Sequence, residues 1–182
     1  MNHDDTALVV IDMQEKLVPL IENHEGITWN TRRLIDGAQL LSVPVIASEQ
    51  YPKGLGATLP ELKQRIPGDI PEKLCFSCGE LGDLFTQLSS QGISKLLVCG
   101  IETHVCVQQT VLDIMAAGFF AYVATDAVGS RFPLDKEVAL RRMECSGATL
   151  TTTEAALFEW CEKAGTPEFK AISTLVREAA PA

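Results

Sequence analysis

The stretch Ala7-Leu8-Val9-Val10-Ile11 decides the fold, because it is a continuous apolar run that ends at a carboxylate, Asp12. A run of this kind is typical of a strand that is buried on both faces, as in a parallel sheet. Residues 95–101 repeat the pattern, and stretches with helical spacing lie between the runs. Alternating strands and helices form right-handed βαβ units. The sequence therefore predicts an α/β protein, a three-layer α/β/α sandwich around a parallel, Rossmann-like sheet.

The spacing of apolar residues in the rest of the sequence predicts the other strands and helices. It predicts further strands at 43–47, 119–125 and 148–152, a short and ambiguous one at 73–76, and helices at 26–41, 79–91, 105–117, 135–146 and 167–177. Thr151 and Glu154 have the spacing of a capping box for one more helix. No repeat and no linker divides the sequence, so we expect a single domain over residues 1–182, with a core of about 7–153 and C-terminal helices at about 154–178.

The composition excludes several classes of protein. Hydrophobic residues make up 46% of the 182 residues, which is ordinary for a globular domain and too high for a disordered acidic chain. The net charge is −9 and Lys and Arg form no cluster, which argues against nucleic acid and anionic membranes as partners. The N-terminus shows no secretory signal and no apolar run is long enough to span a membrane, so we expect a cytoplasmic protein with reduced cysteines.

Residues that directly follow the apolar runs are the candidates for a site, because ligands of parallel α/β sheets bind beyond the carboxyl ends of the strands. This rule selects Asp12, Glu49, Lys73, residues 102–106 and Asp126. Cys106 would lie in the first turn of a helix, where free N–H groups and the positive end of the dipole favour the nucleophilic thiolate and could bind an oxyanion. It could equally be a small, buried apolar residue.

Asp12 and Lys73 could assist such a nucleophile. Asp12 could accept the thiol proton and later return it to a leaving group, although a helix cap or a solvated strand end is the plainer interpretation. Lys73 could hold the carboxylate and the thiolate together, although most lysines are solvated at the surface. The three positions gain weight as a set, because they converge on one edge of the predicted sheet.

Several motifs resemble those of the isochorismatase-like cysteine hydrolases. Asp12-Met13-Gln14 resembles the opening motif of that family, and Gly100-Ile101-Glu102-Thr103-His104-Val105-Cys106-Val107 resembles its nucleophile segment; Thr110 and Thr125-Asp126-Ala127 also fit. The resemblance runs from about Ala7 to Thr153. It points to the branch of isochorismatase domain-containing proteins, whose further motifs resemble residues 49–56, 73–77 and 168–170.

The resemblance implies a six-stranded sheet and a small-molecule hydrolase with a triad of Asp12, Lys73 and Cys106. Cys106 would attack the carbonyl carbon of an amide or a related C–N bond, Asp12 would act as general base and then acid, and Lys73 would orient Asp12. The backbone N–H groups of Glu102 and Cys106 would form the oxyanion hole beside a cis Ile101–Glu102 peptide. Water would then hydrolyse the thioester. The family also implies a homo-oligomer.

Two features depart from the wider family. Its nicotinamidases bind a metal through an Asp and several His near the second strand, but residues 49–56 contain no histidine, and the three in the chain are His3, His24 and His104. We therefore expect no metal and no cofactor. Glu102 places a carboxylate near Cys106, where it would raise the thiol pKa if it pointed inward.

The motif positions also indicate which residues would line a substrate pocket. These are Leu17, Gln50, Tyr51, Phe76, Thr103 and His104. Tyr51 and Phe76 would form an apolar wall of the kind that small-molecule sites have. Beside the pocket, Arg131 is expected to pair with a carboxylate such as Asp126.

Two other functions remain open at the level of sequence. Cys75-Phe76-Ser77-Cys78 is a C-x-x-C motif before a predicted helix, as in thiol–disulfide oxidoreductases, although incidental burial of the two cysteines is the plainer interpretation. The fold could also be a non-catalytic oligomeric interaction module, whose last helix packs either on a partner or on its own sheet through Phe169, Ile172, Leu175 and Val176. The other three cysteines, Cys99, Cys145 and Cys161, are expected in the core.

Overall fold

The computed structural model describes residues 1–181 and contains a six-stranded sheet flanked by helices. The strands are β1 (Thr6–Ile11), β2 (Val45–Gln50), β3 (Glu72–Lys73), β4 (Lys95–Ile101), β5 (Phe120–Gly129) and β6 (Thr149–Thr151). The helices are α1 (His24–Leu40), α2 (Pro52–Leu55), α3 (Pro60–Lys63), α4 (Gly82–Ser90), α5 (Gln108–Ala116), α6 (Pro133–Cys145), α7 (Thr153–Cys161) and α8 (Pro167–Val176). Short 3-10 turns lie at Val18–Leu20 and Cys78–Leu81, and a π-helical turn lies at Thr103–Val107.

All neighbouring strands pair in parallel, in the order β3-β2-β1-β4-β5-β6. The chain extends the sheet from β1 to β3 on one side, and then returns to the other side of β1 to add β4, β5 and β6. The order therefore reverses between β1 and β4, and open α/β sheets bind their ligands in the crevice at such a reversal. Asp12 follows β1 and residues 102–106 follow β4 at this point. The predicted α/β/α sandwich with a parallel six-stranded sheet is confirmed.

Each face of the sheet has its own apolar core, and β1 contributes to both. Leu8 and Val10 enter the core that contains α1, α7 and α8. Val9 and Ile11 enter the core that contains side chains of α4, α5 and α6. Both sets of alternating side chains are buried, which explains why the whole run is apolar, and each such side chain contributes about 1.5–3 kcal/mol. Among residues 1–181, no helix has the length and apolar character that crossing a membrane requires.

The start of two helices differs from the sequence-based prediction. The helix predicted at 105–117 begins with the π-helical turn Thr103–Val107, so Cys106 lies inside that turn rather than at the first residue of a regular helix. The helix predicted at 79–91 begins as a 3-10 turn. π-Helical turns are frequent at functional sites, so the irregular start of α5 itself marks this segment.

The start of α7 and the end of β5 also differ. Thr152 rather than Thr151 caps α7, and its side chain accepts a hydrogen bond from the N–H of Ala155. β5 extends to Gly129, beyond the predicted end at 125. The strand bulges on the way, because its pairing with β4 shifts between the residues opposite Val98 and Gly100.

The last helix packs on its own chain. Ile172 and Leu175 of α8 are buried in the core that α8 shares with α1 and α7. Phe169 contacts Phe158 of α7, with ring centroids 6.3 Å apart. Packing on its own chain is therefore the interpretation that the structure supports for this apolar face. Of the cysteines expected in the core, Cys145 is exposed, and that prediction was wrong because Cys145 ends α6 on its solvent side.

The ends of β1 and β4 are held close together at Gly100. Gly100 has φ +119°, and a Cβ on it would lie 2.1 Å from the carbonyl oxygen of Ile11 and 2.6 Å from its nitrogen. Gly100 and Ile11 are also paired in the sheet, so the backbone of β1 cannot shift away without loss of pairing. A glycine is therefore required where the two strands approach the site.

Gly100→Ala is expected to lower the free energy of unfolding by more than about 3 kcal/mol, because its methyl group has to displace the backbone of β1. Gly118→Ala is the matched control, since Gly118 also has a positive φ, +94°, but no atom lies within 4 Å of its Cβ position. That variant is expected to lose only about 1–2 kcal/mol. Urea denaturation followed by circular dichroism measures both, and equal losses would contradict the argument.

Candidate active site

A buried ion pair between Asp12 and Lys73 forms the centre of the candidate site. Asp12 follows β1 with a left-handed φ of 53°, a conformation that is uncommon outside glycine and occurs at active sites. Lys73 ends β3, two strands away. Its Nζ lies 2.7 Å from Asp12 Oδ2, and neither side chain is exposed. Two charges buried together are costly unless further hydrogen bonds satisfy them.

Lys73 is surrounded by fixed acceptors. Besides Asp12, its Nζ donates to Gln50 Oε1 and to the carbonyl of Phe76, both at 2.8 Å. An ammonium group has three protons, so these bonds occupy all of them. Gln50, predicted to line the substrate pocket, holds Lys73 instead and also donates to the carbonyl of Leu74 at 2.9 Å. Lys73 therefore supplies a fixed positive charge to Asp12 rather than a free donor to a ligand.

Ser48 on β2 holds the other oxygen of Asp12. Its Oγ donates to Asp12 Oδ1 at 2.7 Å, and the thiol of Cys78 donates to Ser48 Oγ at 3.4 Å. Burial raises the pKa of Asp12, and the neighbouring charge of Lys73 and the hydrogen bonds offset only part of that effect. The sequence-based prediction ended this strand at residue 47 and selected Glu49, although Ser48 is the first polar side chain after that predicted end.

The thiol of Cys106 faces the carboxylate of Asp12 and is enclosed, with 6% of the residue exposed. Burial raises the pKa of Cys106 well above its usual range, and the charge of Asp12 raises it further, while Lys73 lowers it in part. The thiol is therefore protonated at neutral pH. The expectation that a helix start would favour the thiolate is wrong, because loss of solvent around Cys106 outweighs that local effect.

Thr110 ties the nucleophile segment to the loop after β3. Its Oγ1 donates to the carbonyl of Cys106 at 2.7 Å and accepts the N–H of Cys78 at 2.9 Å. One buried hydroxyl therefore joins two loops on opposite sides of β1 and fixes the position of Cys106 relative to the Lys73 side of the site.

The nucleophile segment begins with a cis peptide between Ile101 and Glu102, as the resemblance implies. The carbonyl of Glu102 accepts hydrogen bonds from Val105 and Val107, both at 3.1 Å. Among the hydrogen bonds of residues 1–181 outside the regular helices and strands, none has the N–H of Glu102 as its donor. The N–H of Glu102 is therefore available to a bound ligand at the start of the turn that carries Cys106.

Arg131 pairs with a carboxylate, as expected, but its partner is Glu102 and not Asp126. Arg131 Nε lies 2.5 Å from Glu102 Oε1, so the carboxylate of Glu102 is turned toward Arg131. Asp126 accepts hydrogen bonds from the N–H and the hydroxyl of Thr153, at 2.8 and 3.0 Å. The bulge in β5 explains the difference, since it carries Asp126 to the start of α7.

Asp12, Lys73 and Cys106 all lie in a part of the chain that matches a known protein family. The isochorismatase domain matches residues 6–155, which include β1, β3, β4 and the π-helical turn. The chain belongs to the isochorismatase family.

Relatives of this family match almost the whole chain. Isochorismatase domain-containing protein 2A of Mus musculus is 38% identical over 180 residues, which cover 98% of this chain and 85% of that protein. Isochorismatase domain-containing protein 1 of Danio rerio is 36% identical over 175 residues, which cover 93% of this chain and 60% of that protein. The match therefore spans three fifths of the length of the Danio rerio relative.

Solved structures of the family share the fold. The structure of MAR1 ribonuclease from Caenorhabditis elegans is 38% identical, with a TM-score of 0.91, and the match covers 100% of this chain and 94% of that one. YcaC from Pseudomonas aeruginosa, solved with hexane-2,5-diol and covalent acrylamide, is 25% identical with a TM-score of 0.87, and the match covers 96% and 90% of the two chains. The fold is thus that of isochorismatase-family hydrolases.

The other residues predicted to line a pocket have different surroundings in this isochorismatase-family chain. Tyr51 and Phe76 are about half exposed, at 51% and 52%, beside Lys73, and they can form an apolar entrance. Thr103 is fully buried, and Leu17 packs against the core. His104 is hydrogen-bonded within the protein. Of the predicted set, the structure therefore leaves Tyr51 and Phe76 open to solvent.

The loop after β2 is held in place by Gln14 and Glu49. Gln14 Nε2 donates to the carbonyls of Gln50 and Gly56 at 3.0 and 2.6 Å, and its Oε1 accepts the N–H of Gln50 at 2.8 Å. Glu49 Oε1 accepts the N–H of Thr58 at 2.7 Å. Glu49, selected as a strand-end carboxylate, therefore orders the loop and does not contact the ion pair directly.

The C-x-x-C motif does not form a matched pair of thiols. Cys75 is exposed, whereas Cys78 is buried and bonded to Ser48. Burial raises the pKa of Cys78, and a reactive dithiol requires a lowered one. The position of Cys78 instead places it among the groups that support Asp12.

The residues do not fit the metal site of the family's nicotinamidases. The acidic residue at the second strand is Glu49, and its carboxylate accepts the N–H of Thr58. His104 bonds to Ser130, and in the part of the chain that the structure describes no group of three or more His, Cys, Asp or Glu is arranged to hold a metal ion. No step of the chemistry below therefore uses a metal.

Asp12→Asn is expected to lower the apparent pKa of Cys106, followed as the pH dependence of its alkylation by iodoacetamide, because the charge of Asp12 raises the pKa of the thiol. Ser48→Ala is the control: it removes a hydrogen bond but leaves that charge in place, so the apparent pKa of Cys106 stays near the wild-type value. Peptide mass spectrometry separates Cys106 from the exposed Cys75 and Cys145. An apparent pKa of Cys106 that is unchanged or higher in Asp12→Asn would show that the charge of the carboxylate does not raise the pKa of the thiol.

Proposed function

We propose that this chain is a cysteine hydrolase that cleaves an amide or a related C–N bond of a small molecule through Asp12, Lys73 and Cys106. The observation that carries the proposal is the thiol of Cys106 facing a buried carboxylate whose two oxygens are held by Lys73 and Ser48. A carboxylate fixed in this way is aimed at the thiol proton. Membership of a family of hydrolases supports the reaction class.

In the first half of the proposed reaction, bond formation and proton transfer occur together. Sγ of Cys106 attacks the carbonyl carbon, its proton passes to Asp12, and the carbonyl oxygen becomes an oxyanion. The N–H groups of Glu102 and Cys106 bind that oxygen. The C–N bond then breaks, and Asp12 returns the proton to the leaving nitrogen. The products are a free amine and a thioester on Cys106.

Water completes the reaction. Asp12 accepts a proton from a water molecule while the oxygen of that water molecule attacks the thioester carbon. The C–S bond breaks, Cys106 leaves as a thiolate, and Asp12 gives the proton back to it. A carboxylic acid is released and the site returns to its first state. Lys73 keeps its charge throughout, so it stabilises whichever of Asp12 and Cys106 is negative.

The raised pKa values of Asp12 and Cys106 suit a reaction in which one proton passes between these two groups and the substrate. Burial raises the pKa of Asp12, which makes its carboxylate a stronger base. It also raises the pKa of Cys106, which keeps the thiol protonated until a substrate arrives. A protonated thiol is a weak nucleophile, so attack depends on a base within reach, and Asp12 is the carboxylate in that position.

The surroundings of the triad favour an uncharged substrate with an apolar group. All three protons of Lys73 are already bonded to protein, so it has none for a substrate carboxylate. Tyr51, Leu74 and Phe76 expose apolar surface beside it, next to the charged residues Lys53, Glu72 and Glu80. We also propose that the protein forms a homo-oligomer, needs no metal or cofactor and acts in the cytoplasm; its six free thiols support a reducing compartment.

Cleavage of RNA is a second candidate, because the similar Caenorhabditis elegans protein is named a ribonuclease. A net charge of −9 disfavours binding to a phosphate backbone, since affinity for nucleic acid comes largely from Lys and Arg. The small-molecule proposal is therefore preferred, and RNA belongs in the same test.

Cys106→Ala is expected to abolish ammonia release from a panel of small primary amides and to remove any acyl adduct seen by mass spectrometry. The physical reason is that the variant lacks the sulfur atom proposed to attack the amide carbonyl carbon. Cys145→Ala is the matched control, because Cys145 is an exposed free thiol at the end of α6. That variant is expected to retain wild-type activity. Dialysis against a chelator is expected to leave the rate unchanged.

The same experiment separates the alternatives. RNA cleavage that survives in Cys106→Ala would place another activity on this chain. An adduct or a disulfide confined to Cys75 and Cys78 would favour the redox hypothesis. Lack of any Cys106-dependent turnover or adduct across the panel would overturn the hydrolase proposal and favour an interaction module.

A further inference from the structure

Glu102 carries a buried carboxylate at the point where the nucleophile segment leaves β4. The residue is only 8% exposed. Arg131 binds both of its oxygens: Nε donates to Oε1 at 2.5 Å, and the backbone N–H donates to Oε2 at 3.3 Å. Arg131 follows β5, so this contact joins the loop after β4 to the loop after β5.

His104 and Ser130 extend the same contact. His104 Nδ1 lies 3.0 Å from Ser130 Oγ and 3.4 Å from Glu102 Oε2, and Ser130 is buried. Two residues from each loop therefore form one cluster, Glu102 and His104 with Ser130 and Arg131, which we call the loop clamp.

The plainer interpretation of the loop clamp is an ordinary ion pair that contributes little. Its position argues against that. The carboxylate belongs to Glu102, whose N–H is free and is proposed to bind the oxyanion, and Cys106 lies four residues further on. A buried negative charge here repels a developing oxyanion unless a cation compensates it, because electrostatic effects are strong where water is excluded.

We propose that Arg131 is a positioning residue of the hydrolase: it neutralises Glu102 and holds the N–H of that residue toward the oxyanion. The inference rests on the proposed function of Cys106. Arg131 acts through Glu102 and does not itself touch the reacting atoms.

The other charged groups around the nucleophile segment do not replace Arg131 as the partner of the Glu102 carboxylate. On the side of Cys106 they are Asp12 and Lys73, which compensate each other, together with the thiol of Cys78. On the other side Asp135 of α6 lies 3.8 Å from His104 Nε2. Loss of Arg131 would leave the buried charge of Glu102 without its bidentate partner.

Two chemical probes of Cys106 distinguish positioning from general stability. With 4-nitrophenyl acetate, the thiol attacks a carbonyl carbon, 4-nitrophenolate leaves, and an oxyanion forms on the way. With iodoacetamide, the thiol displaces iodide from a saturated carbon and no oxyanion forms. The ratio of the two rate constants at Cys106, read by peptide mass spectrometry across a pH series, therefore reports the oxyanion hole separately from the reactivity of the thiol.

Arg131→Gln is expected to slow acylation by about 100-fold relative to alkylation, because an uncompensated charge then opposes the oxyanion. In the Glu102→Gln background the same change is expected to alter the ratio by no more than about 3-fold, since no charge remains to be compensated. Arg131→Lys keeps a positive charge and is expected to restore part of the ratio. Arg141→Gln is the matched control, because Arg141 pairs with Glu137 on the exposed face of α6.

The outcomes separate this inference from the proposed function. If wild-type Cys106 is not acylated, or acylation persists in Cys106→Ala, the hydrolase proposal fails first. If wild-type Cys106 is acylated but Arg131→Gln leaves the ratio of the two rates unchanged, the positioning role of Arg131 is refuted. An equal effect of Arg131→Gln with and without the charge of Glu102 also refutes it. Thermal unfolding of each variant confirms that the rates refer to folded protein.

Discussion

The buried ion pair between Asp12 and Lys73 is the constraint on which the rest of the site depends. Neither charge reaches water, so every remaining hydrogen bond has to come from the protein. Ser48 donates the further hydrogen bond to the carboxylate of Asp12, and Gln50 and the carbonyl of Phe76 accept the remaining hydrogen bonds of the Lys73 ammonium group. Three parallel strands must therefore end at matching heights. The pairing of Gln50 with Lys73 and of Ile11 with Ser48 meets that requirement.

The topology of the sheet explains why Cys106, the proposed nucleophile, is on the other side of the same carboxylate. β1 is central, so Asp12 at its end has β2 and β3 on one side and β4 on the other. The first side supplies the groups that hold the carboxylate. The second supplies the π-helical turn with Cys106, and Gly100 brings that turn close to β1. Because β1 is central, groups from β2 and β3 hold the carboxylate of Asp12, and the segment after β4 places the thiol of Cys106 against it.

The sequence predicts much of this arrangement because the strand-end rule is geometric. A wholly apolar β1 followed by Asp12 predicts both the parallel sheet and the edge at which the site lies. Lys73 was a weaker prediction, since a strand of two residues leaves almost no pattern, and it was secured only by the resemblance to the family. Ser48 directly follows the predicted end of its strand at residue 47, and it was missed because only the charged residue beside it, Glu49, was selected.

Other predictions failed where an interaction between distant segments decides the outcome. The protonation of Cys106 follows from how completely the surrounding elements enclose it, which a local helix rule does not contain. The partner of Arg131 follows from a bulge in β5 that moves Asp126 away. Cys145 was expected in the core because neither the nucleophile segment nor the C-x-x-C motif contains it, but it ends α6 and is exposed.

The shortness of β3 has a consequence for how the protein responds to heat. β3 is a two-residue edge strand, joined to the sheet through Glu49 and Gln50, and it carries one of the two buried charges. Edge segments of this kind open locally at a smaller free energy than the global unfolding of a domain. When β3 detaches, Asp12 loses its counter-charge while both apolar cores stay intact. The site thus depends on a short edge strand, and we expect local opening of that edge to remove the counter-charge of Asp12 at a temperature below the melting of the fold.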